Sequence, residues 1–331
     1  MMKILKTIIL MVLFVGIVQA KTGVVTGGAT YTMLPWFKSS FLELEDDVDE
    51  AKQNNKHVLL FFHLAQCPYC EQMVKDFDQQ PLKAFIQKHF SVIAINIRGD
   101  KEVAINAEYT LSEKELADEI KVGYTPTMVF LNQKNETVMR TNGYRSPAKI
   151  RQILGYISSK AYEKLTLQQY IEKTKKVGNY QLQDHAMLQK ITDFSAIKTP
   201  LAVIFEDKNC DACAYFYSTT LKNKSVKNEF DAFKVVRFDA DSTHAIIDNK
   251  GNRTTPKEWV QQLKLAYRPG IILFNEGGEI IRIDGFLYPF HFKEALRFVG
   301  GDFYKRFATY GAYLAYRQAQ LLEQGIDINI K

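Results

Sequence analysis

The chain of 331 residues has four cysteines and none left over, since they fall as Cys67-Pro68-Tyr69-Cys70 and Cys210-Asp211-Ala212-Cys213. That excludes the disulfide framework of small secreted scaffolds, which are short and cysteine-dense. Pairs this tight close loops too short to stabilise a fold much, so chemistry is the better reason for them. Long apolar runs are also lacking. The run from Ile8 to Val18 has 11 residues, short of the ~20 that a membrane-spanning helix needs, and no later stretch comes close. With Lys3 and Lys6 before it and Val18-Gln19-Ala20 after it, residues 1–20 read as a secretory signal peptide. The mature, exported chain is then expected to begin near Lys21, and an uncleaved anchor is the other reading. Clustered charge is absent too. The formal charge of +6 falls to +4 when Lys3 and Lys6 leave, and the remaining Lys and Asp/Glu are interspersed, so the basic footprint of a nucleic-acid binder is missing. With 46% hydrophobic and 24% charged residues, the composition is that of a globular protein rather than a disordered one.

What the chain does have is an internal repeat. Sliding it by 143 positions lays Cys67 on Cys210, Cys70 on Cys213 and Pro126 on Pro269, with both Cys-to-Pro spacings 59. Phe62 meets Phe205, Lys114-Glu115 meets Lys257-Glu258, Tyr124 meets Tyr267 and Asn132 meets Asn275 in the same register. Two copies are too few for a solenoid, and about 311 residues exceed one ordinary core, so the pattern is a tandem domain duplication.

Each copy opens with a continuous apolar strand, Val58 to Phe62 or Leu201 to Phe205, of the kind buried on both faces. The Cys-x-x-Cys follows directly and starts a helix with apolar residues at Cys70, Met73, Val74 and Phe77, or Cys213, Phe216, Tyr217 and Leu221. A second strand runs over 91–97 or 233–238. Helices over 112–120 and 255–263 carry capping boxes, Ser112 with Glu115 and Thr255 with Glu258. A hairpin after each proline and a closing helix over 146–157 or 289–299 complete the copy. The fold class is therefore α/β, two tandem units each with a mixed sheet covered by helices. The expected division is 21–160 for the first domain, 161–184 for a helical linker containing a helix from Leu167 to Val177, and 185–331 for the second domain with a helical tail. In the tail Phe303, Phe307, Tyr310 and Leu314 fall at helical spacing, an apolar stripe that suits core or a partner surface. The oligomeric state is left open.

A strand that hands Cys-x-x-Cys to a helix N-terminus puts the first sulfur at the positive end of the dipole, near unpaired N–H groups. The dipole supplies at most about 2 kcal/mol, so direct hydrogen bonds must add to it if the thiolate is to dominate at neutral pH. Cys67 would then attack a disulfide and Cys70 resolve the mixed disulfide. Asp211 beside Cys210 either opposes thiolate formation or simply suits a helix start. Competing readings are a shared zinc site, Cu(I) capture by one pair, or inert disulfides. No cofactor and no resident metal is expected.

The strand, Cys67-Pro68-Tyr69-Cys70, the helix and Tyr124-Thr125-Pro126-Thr127 resemble the thioredoxin superfamily, and with Asn96-Ile97-Arg98-Gly99-Asp100, Gly143-Tyr144 and Lys257-Glu258-Trp259 they resemble the SoxW-like periplasmic thioredoxins. The resemblance implies a periplasmic thiol-disulfide oxidoreductase, a reductant or isomerase of exported proteins, recharged by a membrane electron donor. It makes Cys67, Cys70, Cys210 and Cys213 the catalytic residues. It also makes Pro126 and Pro269 cis prolines, with Thr125 and Arg268 offering backbone groups to an extended substrate. There are departures from the family pattern. The buried acid that thioredoxins keep six residues before the first cysteine is Phe61 or Ile204 here, and the preceding Trp is Gln66 or Asn209. That argues against a cytosolic-type thioredoxin reductase as partner. His63 and Glu206 are possible substitute acid-base groups, and Arg268 is placed to stabilise a Cys210 thiolate. The reading from a different class is a non-catalytic binding or chaperone module with oxidised cysteines.

Overall fold

The computed structural model describes residues 22–174, 180–210, 212–265 and 267–331. The signal-like segment, Asp211 and the end of the expected 167–177 helix lie outside the described residues. A short strand β1 (Val25–Thr26) is followed by α1 (Leu44–Gln53), β2 (His57–His63), α2 (Pro68–Phe77), α3 (Leu82–His89) and β3 (Phe90–Asn96). A small hairpin of β4 (Glu102–Asn106) and β5 (Tyr109–Ser112) leads to α4 (Glu113–Glu119), β6 (Thr127–Leu131), β7 (Thr137–Asn142) and α5 (Pro147–Ser158). The strands order β3-β2-β6-β7, with β2 parallel to β3 and antiparallel to β6.

Strand β2 is apolar throughout because both of its faces are covered. Leu59 and Phe61 face α2, α3 and α5, in the layer of Met73, Phe77, Ile86 and Leu154, while Val58, Leu60 and Phe62 face α1 and α4 through Val48, Leu116 and Ala117. A period of two thus splits one strand between two cores. The capping box at α4 forms as expected, Ser112 accepting from Glu115 N at 3.2 Å while Glu115 accepts from Ser112 N at 2.8 Å.

After α6 (Leu167–Thr174), the second unit repeats the order with β8 (Leu201–Glu206), α7 (Cys213–Tyr215), α8 (Lys224–Phe230), β9 (Lys234–Asp239), the bridge strands β10 (Ile246–Ile247) and β11 (Arg253–Thr254), α9 (Pro256–Gln262), β12 (Gly270–Asn275), β13 (Gly278–Ile283) and α10 (Pro289–Gly300). Its sheet orders β9-β8-β12-β13. Helix α9 sits 143 positions from α4 at both ends. The copies diverge where α1 would recur. There the chain is extended, Leu188 bridging Val235 and Phe194 N donating to Ile247 O at 3.0 Å. They diverge again after Cys213, where α7 gives way to a π turn over Phe216–Thr220 instead of the expected regular helix.

The tail forms α11 (Tyr310–Glu323) and β14 (Ile328–Asn329). Tyr313, fully buried, is the anchor in the second core, with Phe303, Phe307 and Tyr310 packed beside it. The expected stripe through Leu314 is thus displaced by one residue, because Phe303 and Phe307 precede the helix. Strand β14 pairs with β1, joining the tail to the first unit's leading segment. Among the described residues no helix is long and apolar enough to cross a membrane.

Candidate active site

Cys67 is the N-cap of α2, with extended backbone and its sulfur accepting from Cys70 N at 3.1 Å. Pro68 fills the first helical position, where a missing N–H costs nothing. Across the loop, the Thr125–Pro126 peptide is cis. The Thr125 hydroxyl donates to Cys67 Sγ at 3.3 Å, and its carbonyl oxygen lies 3.7 Å from the same sulfur. Cys67 and Cys70 form a disulfide with Cα atoms 5.2 Å apart. Cys67 is 7% exposed and Cys70 fully buried, so an attacking group meets Cys67 first. Two donors already converge on its sulfur, and on reduction they would stabilise a thiolate.

The second pair is also a disulfide, and Arg268–Pro269 is cis. The sulfur environment differs. The helix begins only at Cys213, so Cys210 stands outside its first turn, and among the described residues no hydrogen bond reaches Cys210 Sγ. Arg268, expected to stabilise a Cys210 thiolate, is engaged in the disulfide form by Asp207 and its own loop. Its Nε lies 3.1 Å from Asp207 Oδ2, and its Nη1 donates to the Leu265 and Tyr267 carbonyls at 3.2 and 2.9 Å. Asp207 in turn accepts from Asn209 N at 2.8 Å and, by its carbonyl, from Cys210 N at 3.1 Å. A buried carboxylate close enough to neutralise the guanidinium takes the place the sulfur was expected to fill.

His63 and Glu206 end equivalent strands. His63 is tied by its Nδ1 to the Tyr31 hydroxyl at 3.1 Å, which itself donates to Leu64 O at 2.9 Å. Burial pushes its pKa down to about 4. Glu206 is fully buried, with Arg237 Nη1 3.9 Å away. Burial pushes its carboxyl up, tempered by Tyr217, Arg237 and Tyr180. Both are held in their own networks of contacts.

The sequence reading missed Tyr69. It is 8% exposed, and its partners come from the second unit. Tyr288 N donates to its hydroxyl at 2.7 Å, and His291 Nδ1 stands 3.0 Å away. The hydroxyl oxygen accepts the amide hydrogen, and the imidazole tautomer decides which partner donates in the contact with His291 Nδ1. Phe286 lies between the two sites, 6.3 Å from Tyr69 and 5.1 Å from Tyr215 between ring centroids. Buried Arg145 approaches Asp284 at 3.9 Å and covers the Tyr267 ring at 5.3 Å. A Cβ at Gly285 would displace the Arg145 guanidinium from its present position. The only sequence signal was an aromatic residue inside the motif, where a solvent-facing residue was equally plausible.

With this geometry in place, comparison with known proteins is direct. The Thioredoxin-like domain family matches twice, over residues 44–158 and 188–300, more than half of the chain. The chain belongs to the thioredoxin-like family. Among solved structures it is similar to a thioredoxin-fold protein from Helicobacter pylori, with 26% identity over 42% of this chain and 94% of that one and a TM-score of 0.34. It is similar to a thioredoxin from Thermus thermophilus, with 26% identity, 36% and 85% coverage and a TM-score of 0.29. It is also similar to a disulphide isomerase from Xylella fastidiosa, with 19% identity, 43% and 95% coverage and a TM-score of 0.25. No curated protein matches the chain.

Proposed function

We propose that this protein is a thiol-disulfide oxidoreductase of the periplasm that reduces or isomerises disulfides of exported proteins, with Cys67 and Cys70 as the working pair. The observation that carries this reading is the convergence of Cys70 N and the Thr125 hydroxyl on Cys67 Sγ beside cis-Pro126. In the reduced protein the Cys67 thiolate attacks a substrate disulfide. One substrate sulfur bonds to Cys67, and the other leaves as a thiolate and takes up a proton. Cys70 then loses its proton and attacks Cys67 Sγ, releasing the second substrate thiolate and restoring the disulfide seen here. Two electrons have moved to the substrate, and a membrane electron donor of the thiol-reducing type must return them. The export reading rests on the Lys3, Lys6, Ile8–Val18 and Ala20 pattern of the leading segment. Thiol trapping in cells tests the whole. Cys70→Ser should accumulate mixed disulfides through Cys67 with exported proteins, and finding no trapped partner, with both pairs inert to glutathione, would end the enzyme reading.

A further inference from the structure

Both motifs are covered from within the chain, and one segment takes part in both covers. Pro68, Tyr69 and Cys70 are buried, and Cys67 is 7% exposed. The cover over Tyr69 comes from residues 284–291 of the second unit. The Tyr69 ring lies 4.6 Å from Tyr288, 5.4 Å from His291 and 6.3 Å from Phe286 between centroids, and its hydroxyl accepts from Tyr288 N at 2.7 Å. Phe286 and Tyr288 pack against the first unit's core. The same segment also faces the second motif. Phe286 and Leu287 wall the hollow between Ala212, Tyr215 and cis-Pro269, leaving a cavity of about 20 Å³. That is space on the order of one water.

The covering is reciprocal. Arg145 and Tyr288 are equivalent in the 143-residue register, each just beyond the hairpin of its unit. Tyr288 reaches Tyr69 in the first motif. Arg145 reaches the other way, to Asp284 at 3.9 Å and over the ring of Tyr267, two residues before Pro269, at 5.3 Å. The two turns also touch, with Phe286 N donating to Tyr144 O at 3.5 Å and their rings 5.7 Å apart. A polypeptide that brings a disulfide to Cys67 needs open surface around that sulfur, and on the Pro68–Tyr69 side the surface is already taken. The cover is of a kind that can move. Residues 284–288 are half-buried and lie between β13 and α10, outside regular structure, as mobile closing segments commonly do.

We propose that residues 284–291 are a lid shared by the two motifs, that the structure is its closed form, and that polypeptide disulfides reach Cys67 only when the lid lifts from Tyr69. The proposal rests on the oxidoreductase reading and adds the regulation of its first site. The closing contacts run through Tyr69, Tyr144 and Arg145 and not through the sulfurs, so the lid closes over the dithiol as it does over the disulfide. While it is closed, small reagents reach Cys67 and large partners do not. The rate with a large partner is then scaled by the fraction of molecules that are open. Because the same segment fills the hollow beside Pro269, lifting it uncovers the second motif as well.

The test uses the full chain carrying Cys70→Ser, reduced, so that a mixed disulfide at Cys67 persists. Two reagents with the same reactive group are compared, dipyridyl disulfide and a pyridyl disulfide carried on a small protein that stays folded in urea. The Cys67 thiolate attacks the reagent disulfide, a bond forms to one reagent sulfur, and pyridinethiolate leaves; peptide-resolved mass analysis reads the product at Cys67. The ratio of small-reagent to carrier rate should be at least about tenfold higher in the folded chain than in the same chain unfolded in urea, as for an open form populated at about a tenth or less. Phe286→Ala, which removes the ring beside Tyr69, Tyr144 and Tyr215, should lower the folded ratio by about threefold or more as the open fraction grows. A folded ratio equal to that in urea, or one unchanged by Phe286→Ala, overturns the proposal. If Phe286→Ala fails to fold, hydrogen exchange of the Tyr288 amide in the Cys70→Ser chain decides. Exchange slowed by about tenfold or more against a free peptide supports the lid, and exchange as fast as in the peptide overturns it. The two readings fail separately, because this labelling needs no turnover, whereas trapping in cells reports on exported partners.

Discussion

The two units carry one backbone plan and two different sulfur environments. At equivalent positions the first has Leu64 and Thr125 where the second has Asp207 and Arg268. In the first, a neutral hydroxyl is free to point at Cys67; in the second, the residue before the proline is held by a carboxylate and its own loop carbonyls. The helix follows the same division, since Cys67 caps a regular ten-residue helix while Cys210 precedes a three-residue one that slips into a π turn. The fold brings cysteines and cis proline together in both copies, and the side chains around them decide how reactive the first sulfur becomes.

The largest break of this comparison is by nucleophile. Cys67→Ser should lower reduction of a protein disulfide such as insulin by at least about a thousandfold, since removing a covalent nucleophile can cost on the order of 10⁶ in kcat. Cys210→Ser should lower it by less than about threefold, well under 1 kcal/mol. Equal losses in turbidimetric assays would show that the units work as one relay.

Opposite responses to pH come next, because His63 and Glu206 occupy the same position in the two copies. His63 has a folded pKa of about 4 against an ordinary 6.5. Its neutral form is favoured in the native state, so its stability contribution is present above 6.5 and is lost as pH falls toward 4. The shift corresponds to at most about 3 kcal/mol. Glu206 is shifted upward by burial from 4.5. Its contribution is therefore present below 4.5 and lost as pH rises through its folded value. Urea unfolding at several pH values should show His63→Gln flattening the acid limb and Glu206→Gln flattening the limb above 4.5. A single shared slope unaffected by either change would refute the assignment.

Thr125 offers a finer test. Thr125→Val removes one donor from Cys67 Sγ, and a hydrogen bond to a charged group contributes about 1.5–3 kcal/mol. The rate of alkylation of reduced Cys67 at pH 7 should therefore drop by about tenfold, read as a rise in its kinetic pKa. Grafting Asp207→Leu with Arg268→Thr into the second unit should raise Cys210 reactivity in the same assay. No gain there would mean that the π turn, rather than the missing donor, sets the second site apart.

Much of this was legible in the sequence. The 143-residue register, the buried strands with a two-residue period, the capping box at Ser112 and the N-cap at Thr255 sit where the pattern put them, though Glu258 does not close the second box, and both prolines that the family resemblance made cis are cis. These signals are local, set by a few neighbouring residues each. What the pattern could not carry was long-range. Nothing near Arg268 says that Asp207, far earlier in the chain, takes its charge. Nothing near Cys213 announces a π turn, because Phe216, Tyr217 and Leu221 are buried in it as they would be in a regular helix. The 185–197 segment is extended where the first unit has α1, and it lacks the acidic first turn of that helix. Tyr69 belongs to the same class, its partners lying more than two hundred residues away.

Tyr69 gives the smallest expected effect and the most specific one. Its hydroxyl is the link by which the second unit holds the first motif, and Tyr69→Phe keeps the ring against Tyr288, Phe286 and His291 while removing that link. Two interactions are lost, but solvent partly replaces them at an interface, so about 1 kcal/mol of stability should go. The loss should depend on pH. Burial holds His291 at about 4, so the ring is neutral at pH 7, and in the tautomer whose Nδ1 accepts from Tyr69 that bond is lost as pH falls through 4. Comparing Tyr69→Phe with the unmodified chain by urea unfolding should therefore show a difference at pH 7 that shrinks toward pH 4. A constant difference would mean that Tyr288 alone anchors the hydroxyl, and no difference at either pH would mean that ring packing carries the contact between the units.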